Sequence, residues 1–355
     1  MIYIRADGNT AIGMGHVMRC LAVAEAVTKL NCPPLVFLAA DEGCRELIED
    51  RGFCVFSLET DYREMLGEMP QLERVLDRRS DLVFVDSYYA SDEYYLALGK
   101  LARVACFEDL GVPHPVDLLI NYNLYAPQLE QRYRASLNEQ NQQNLYPKNV
   151  LLGTSYMPLR RAFQKPSGYQ LRDRVTQILI TTGGSDPYFA AGAITDALIK
   201  DTMILEKGIH LHLVSGPYNQ YAQELQSRYG STAQITIHEK VKNLRSLLLE
   251  SDIVISAAGS TVYEASSIGV PMVVFYFAEN QRQGAEALAA CTEITNAGCF
   301  AEEGSAVADR IREAVRRCIS DSAYRERLCQ QETALIDGRG AHRIAEQIEA
   351  LCRRS

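Results

Sequence analysis

Residues 3–19 read Tyr-Ile-Arg-Ala-Asp-Gly-Asn-Thr-Ala-Ile-Gly-Met-Gly-His-Val-Met-Arg. Tyr3–Ala6 predicts a strand and Asp7–Gly15 a glycine-rich loop. The spacing of apolar Val17, Leu21, Ala24 and Val27 predicts a helix from about His16 to Leu30. Strand, loop and helix in that order open a parallel α/β domain. Gly13 and Gly15 permit backbone conformations and close ligand approach that other residues resist. The helix turns free N–H groups and a positive dipole end toward the loop. His16 sits at that junction, where a cationic ring is disfavoured and a neutral one can act as a base. Arg5, Asp7 and Arg19 flank it, and Arg5 and Asp7 are the side chains expected to orient it.

The same alternation continues outward. Strands are expected at Leu35–Ala39, Cys54–Leu58, Leu82–Asp86, Val104–Glu108 and Leu118–Asn121, with helices between them. The pattern breaks over 126–149, a Gln-, Asn- and Tyr-rich insert to which the sequence assigns no role. Gln164–Gly168 is the best linker. Beyond it strand and helix alternate again, with a glycine loop at Gly183–Asp186 and a mostly helical stretch from 305 to 353. The expected fold class is therefore α/β: two Rossmann-like parallel-sheet domains, 1–165 and 166–355, with a ligand cleft between them.

Composition narrows the function. A chain of 355 residues, 47% hydrophobic and 23% charged, can build two ordinary cores. A net charge of -9 argues against a nucleic-acid partner. The ten cysteines include no Cys-x-x-Cys pair and no metal-type cluster with histidine, so buried free thiols are expected and no metal. The chain opens on a strand without a signal peptide, and no apolar run approaches the ~20 residues that span a bilayer. A cytoplasmic protein with no membrane association and no obligatory protein partner is expected.

Four stretches carry candidate chemistry. Gly13-Met-Gly15-His16-Val-Met18 supplies two glycines of a dinucleotide fingerprint, but Met18 replaces the third and the loop is long, which argues against a nicotinamide or flavin cofactor. Ser256-Ala-Ala-Gly259-Ser260-Thr261-Val-Tyr-Glu264 runs from a strand into a helix. Ser260 or Thr261 would cap that helix. The stretch is either an ordinary capped helix or a diphosphate site with Glu264 as an exposed carboxylate for a ribose diol. Glu279-Asn280-Gln281 follows a buried strand and could bond a sugar, or simply start a helix with Asn280 as its cap. Asp86-Ser-Tyr88-Tyr89 ends another strand. Tyr88 could pack on a sugar ring, although a core or loop tyrosine is the plainer reading among 19 tyrosines. Of the six histidines, His16 alone lies in a phosphate-type loop.

Taken together, these motifs resemble the GT-B nucleotide-sugar enzymes, and among them the UDP-sugar hydrolases of pseudaminic acid biosynthesis. That family opens with a pattern met here by Arg5, Asp7, Ile12, Gly13, Gly15, His16 and Arg19. It continues with Asp86 and Tyr88, with Leu152-Gly153, Tyr156 and Leu159-Arg160, and with Gly183 to Asp186. The resemblance implies metal- and cofactor-independent hydrolysis of a UDP-linked 2,4-diacetamido-2,4,6-trideoxy sugar: water attacks the anomeric carbon with inversion and UDP leaves. It implies His16 as general base, Tyr88 and Asn280 at the sugar, Glu264 on the uridine ribose, and Ser260 and Thr261 on the diphosphate. Gly13, Gly15, Asp7, Gly259, Glu279 and Gln281 complete the expected substrate-binding set. Ala258 departs from the pattern, standing where such loops commonly have glycine. The main rival is a GT-B glycosyltransferase with the same UDP site and a non-water acceptor. A silent nucleotide-sugar binder and a UDP-sugar 2-epimerase are the others.

Overall fold

The computed structural model describes residues 1–9, 12–76, 81–134, 146–164, 168–239, 241 and 243–353, with the backbone alone at residue 280. The chain divides into two compact units, Met1–Arg161 with Gly338–Ser355, and Ala162–Asp337.

Unit 1 is built on strands β1 (Ile2–Ala6), β2 (Leu35–Ala39), β3 (Val55–Ser57), β4 (Leu82–Asp86), β5 (Arg103–Phe107), β6 (Leu118–Asn121) and β7 (Val150–Leu152). They form one parallel sheet in the order β3-β2-β1-β4-β5-β6-β7. Leu82, Val83, Phe84 and Val85 have no exposed surface. A strand buried on both faces reads as a continuous apolar run, as a covered parallel sheet requires. Each such side chain contributes about 1.5–3 kcal/mol on burial, so the strand that ends in Asp86 is firmly held. Ala6 of β1 lies opposite Asp86 of β4. The strand order reverses between these two, the position where open α/β sheets bind ligands.

Unit 2 repeats the plan with β8 (Gln177–Thr181), β9 (His210–Ser215), β10 (Ile235–Glu239), β11 (Ile253–Ala257), β12 (Met272–Tyr276) and β13 (Thr295–Cys299), in the parallel order β10-β9-β8-β11-β12-β13. Its reversal falls between β8 and β11. The β8 and β9 loops meet backbone to backbone there: a Cβ on Gly216 would lie 2.2 Å from the Gly183 carbonyl oxygen. Asp186 of the glycine loop is buried and accepts the N–H groups of Ala190 (2.8 Å) and Ala191 (3.0 Å), capping the helix Ala190–Leu198.

Two features depart from the sequence reading. Strand β13 is an edge strand of sequence Thr-Asn-Ala-Gly-Cys whose register slips against β12, so it lacks the apolar run that announces a strand. The other departure is the tail, expected in the second domain. Its last helix, Gly340–Arg353, packs instead on the helix Gly15–Val27 of unit 1. Ile344, Ile348 and Leu351 form its buried stripe. The expected linker at 164–168 lies largely outside the described residues.

Gly340 fixes the start of that last helix against Met157, where an added Cβ would lie 2.2 Å from the carbonyl oxygen and 2.5 Å from the amide nitrogen. Backbone cannot yield as a side-chain end can. Gly340→Ala is therefore expected to destabilise the chain by about 1–3 kcal/mol in denaturant unfolding. An unchanged midpoint would mean the helix is not seated there.

Candidate functional site

The loop after β1 turns back on itself. The Gly13 N–H donates to the Asn9 carbonyl at 2.8 Å, the Ile12 N–H to Asn9 Oδ1 at 3.1 Å, and Gly13 has φ +73°. Only glycine takes that conformation without strain. The turn delivers the chain to a helix starting at Gly15. Among the described residues no side chain caps that helix.

His16, in the first turn, meets Asp86 at the end of β4: Nδ1 lies 2.6 Å from Oδ1. A bare ring nitrogen and an ionised carboxylate would repel at that distance, so Nδ1 carries the proton and Nε2 is the basic nitrogen. Arg19, one turn further along the helix, grips both oxygens of Asp86, Nε on Oδ2 and Nη2 on Oδ1, each at 2.5 Å. Nη2 also lies 3.1 Å from His16 Nδ1, an approach of two donors once Nδ1 holds its proton. Burial of Asp86, 1% exposed, works against its charged form. The Arg19 and His16 interactions outweigh burial and hold the carboxyl well below the usual carboxylate range.

Asp7, Ile12, His16, Asp86, Ser87, Tyr88 and Tyr89 line a hollow of about 220 Å³. Tyr88 stands edge-on to the His16 ring, centroids 4.7 Å apart, and its hydroxyl donates to Asp109 Oδ2 at 3.0 Å. The pairing of Asp86 with His16 and Arg19 is the one the sequence reading misses, since Asp86 enters there only within a motif. The signal was available: His16 and Arg19 share one helix face, and an acid ends the strand next to β1.

The residues expected to orient His16 do something else. Arg5 is fully buried, pairs with Asp7 at 2.6 Å and with Glu68 at 2.9 Å, and Tyr94 donates to the same Glu68 at 2.5 Å. Asp7 also accepts the Ala40 N–H at 2.7 Å. These bonds tie β1 to its neighbours beneath the hollow. The insert from 126 contributes too: its short helix Glu130–Arg134 places buried Tyr133 on Glu108 and Asn121. Residues 135–145 of it lie outside the described set.

In unit 2, Gly259 is the residue before the helix Ser260–Ile268, and no side chain among the described residues caps that helix. The expected caps, Ser260 and Thr261, already lie inside the first turn, where a hydroxyl cannot reach its own orphan N–H groups. A Cβ on Gly259 would meet nothing within 4 Å, so space lies open over the loop. Glu264 is 6% exposed, buried rather than on the surface as expected. Glu279 starts the next helix and pairs with Arg282 at 2.8 Å, while Gln281 Oε1 accepts the Phe277 N–H at 3.0 Å. Ala278, not Asn280, precedes this helix as its cap residue, and the Asn280 side chain lies outside the described set. Among the described residues no group of three or more His, Cys, Asp or Glu is placed to hold a metal, and no helix is long and apolar enough to cross a membrane.

Residues 178–348 match the glycosyltransferase family 28 C-terminal domain. The crystal structure of Acinetobacter baumannii MurG aligns with a TM-score of 0.65 at 15% identity, covering 98% of this chain and 99% of that one. Both units have the GT-B domain fold. The GT-B resemblance read from the motifs extends to sequence relatives. The UDP-2,4-diacetamido-2,4,6-trideoxy-beta-L-altropyranose hydrolase of Campylobacter jejuni is 26% identical over 81% of this chain and 96% of its own length. Uncharacterized protein MJ1062 of Methanocaldococcus jannaschii is 28% identical over 79% of this chain, and the match spans 57% of that protein.

Removing one member of a buried ion pair strands the other. Asp86→Ala removes the bidentate partner of Arg19 and leaves it the single ion pair to Asp109, and is expected to cost about 3 kcal/mol of stability. Glu349→Ala, which breaks an exposed pair with Arg353 on one helix, is expected to cost at most about 0.5 kcal/mol. Equal losses in denaturant unfolding would contradict the assigned burial and pairing.

Proposed function

We propose that this protein hydrolyses a UDP-linked 2,4-diacetamido-2,4,6-trideoxy sugar to UDP and the free sugar, with inversion at the anomeric carbon and without a metal. The observation that carries the reading is the His16–Asp86 pair: a buried ionised carboxylate holds Nδ1–H, which leaves Nε2 as the proton acceptor of a residue lining a hollow. Nε2 takes a proton from water as its oxygen bonds to the anomeric carbon. The bond from that carbon to the diphosphate oxygen breaks, and its electron pair leaves with UDP. Asp86 stabilises the imidazolium that forms. A diphosphate leaving group needs anion stabilisation more than a proton. Within unit 2, the Ser260 and Thr261 N–H groups at the helix start suit an anion of that kind. Ile12, Tyr88 and Tyr89 give the hollow apolar walls suited to a deoxygenated, N-acylated sugar. The likeness to the Campylobacter hydrolase supports the substrate, and action in the cytoplasm is part of the same reading.

The glycosyltransferase family 28 match favours a second reading, transfer of the sugar to an acceptor hydroxyl by the same base. One assay separates them. Purified protein is incubated with the UDP-linked diacetamido sugar and EDTA, without acceptor. Release of UDP and free sugar is expected, and His16→Asn is expected to lower turnover by about 10³-fold while UDP binding persists. Release only on adding an acceptor would favour the transferase, and full turnover in His16→Asn would remove His16 as the base.

A further inference from the structure

Arg19 does more than neutralise Asp86. Its Nε and Nη2 take both oxygens of Asp86, and its remaining nitrogen, Nη1, reaches Asp109 Oδ2 at 3.0 Å and the Tyr122 hydroxyl. The guanidinium carbon lies 5.1 Å from the Phe107 ring centre and 5.5 Å from that of Tyr122. Asp109 in turn accepts the Tyr88 hydroxyl, and its backbone carbonyl accepts from Tyr125 at 2.7 Å. One planar cation thus holds two carboxylates, and each carboxylate holds a residue that lines the hollow: Asp86 holds His16, and Asp109 holds Tyr88.

We propose that Arg19 is a positioning residue that locks the base and the tyrosine wall of the hollow into a single unit, fixing the His16 tautomer through Asp86 and the Tyr88 ring through Asp109. The mechanical role deepens the reading of His16 as base, but its geometry stands apart from the reaction. A guanidinium fork suits the task because it presents donors in fixed directions, two to one carboxylate and one to the next. A lysine ammonium is a point charge. It can keep one carboxylate ionised but cannot bridge Asp86 bidentately and still span to Asp109. Asp86 meets few other groups that could replace Arg19. Cys20 Sγ on the same helix lies 3.6 Å from it, and Tyr95 and Cys106 face it from the neighbouring helix and strand. None of these brings a positive charge.

The test reads the tautomer directly. Histidine ¹⁵N-labelled full-length protein is examined by long-range ¹H–¹⁵N NMR, the His16 signals being assigned by their loss in His16→Gln. Wild type is expected to show protonated Nδ1 and bare Nε2. Arg19→Gln, checked for folding by circular dichroism, is expected to show mixed tautomers, and Arg19→Lys, checked likewise, to keep the proton on Nδ1. In kinetics, Arg19→Lys is expected to lose about 10²-fold in kcat with a smaller change in KM. Asp109→Asn, which releases Tyr88 and leaves the Arg19 fork on Asp86, is expected to raise KM more than it lowers kcat and to keep the wild-type tautomer. A single Nδ1–H tautomer in folded Arg19→Gln overturns the proposal, as does an unchanged KM in Asp109→Asn. Should the wild type release no UDP, the hydrolase reading fails, and the tautomer measurement still decides this one.

Discussion

The site in unit 1 depends on one carboxylate kept charged where water cannot reach it. Asp86 ends a strand whose four preceding side chains are fully buried, and an isolated carboxylate there would take up a proton. It stays ionised because a bidentate arginine and a ring N–H share its charge. Each consequence follows from that. The imidazole is fixed in one tautomer, its basic nitrogen is Nε2, and the arginine is drawn into a position from which it also reaches Asp109. Remove the carboxylate and the arginine keeps only its single contacts to Asp109 and Tyr122, with its bidentate partner gone, so stability and site geometry fail together.

The two units spend the same topology on different tasks. Both are parallel sheets whose strand order reverses next to the first strand, and both send a glycine-bearing loop into a helix that no side chain among the described residues caps. In unit 1 the reversal brings a histidine, an aspartate and an arginine together, which is proton-transfer chemistry. In unit 2 it brings small residues, open space over Gly259 and backbone donors, which suits an anion.

Much of the fold was legible because its strands are apolar runs buried on both faces. Leu82–Asp86 and Leu118–Asn121 coincide with the observed strands, and Ser260–Ile268 with the observed helix, closed by Gly269 at φ +81°. Strand β13 was not legible, since an edge strand needs little apolar sequence. Nor was the return of the last helix to unit 1, because an amphipathic stripe records that a face is covered and not by what. At the site, His16 stood out by local context. Its partner did not: Asp86 is 70 residues away and enters only through the pairing of β1 with β4. Arg5 and Asp7 were nearer in sequence and misled for that reason, being paired with each other, Arg5 also with Glu68 and Asp7 with the Ala40 N–H. Helix caps at Ser260 and Asn280 failed by one or two residues, the usual margin for helix ends.

The central claim is that water, activated by His16, attacks the anomeric carbon and not the phosphorus. Turnover in ¹⁸O-enriched water tests it most directly, with both products analysed by mass spectrometry. The account predicts one ¹⁸O atom at C1 of the released sugar, detected before anomeric exchange by rapid quench and reduction, and none in UDP. Label in the β-phosphate of UDP would contradict it, because the base would then be serving attack at phosphorus.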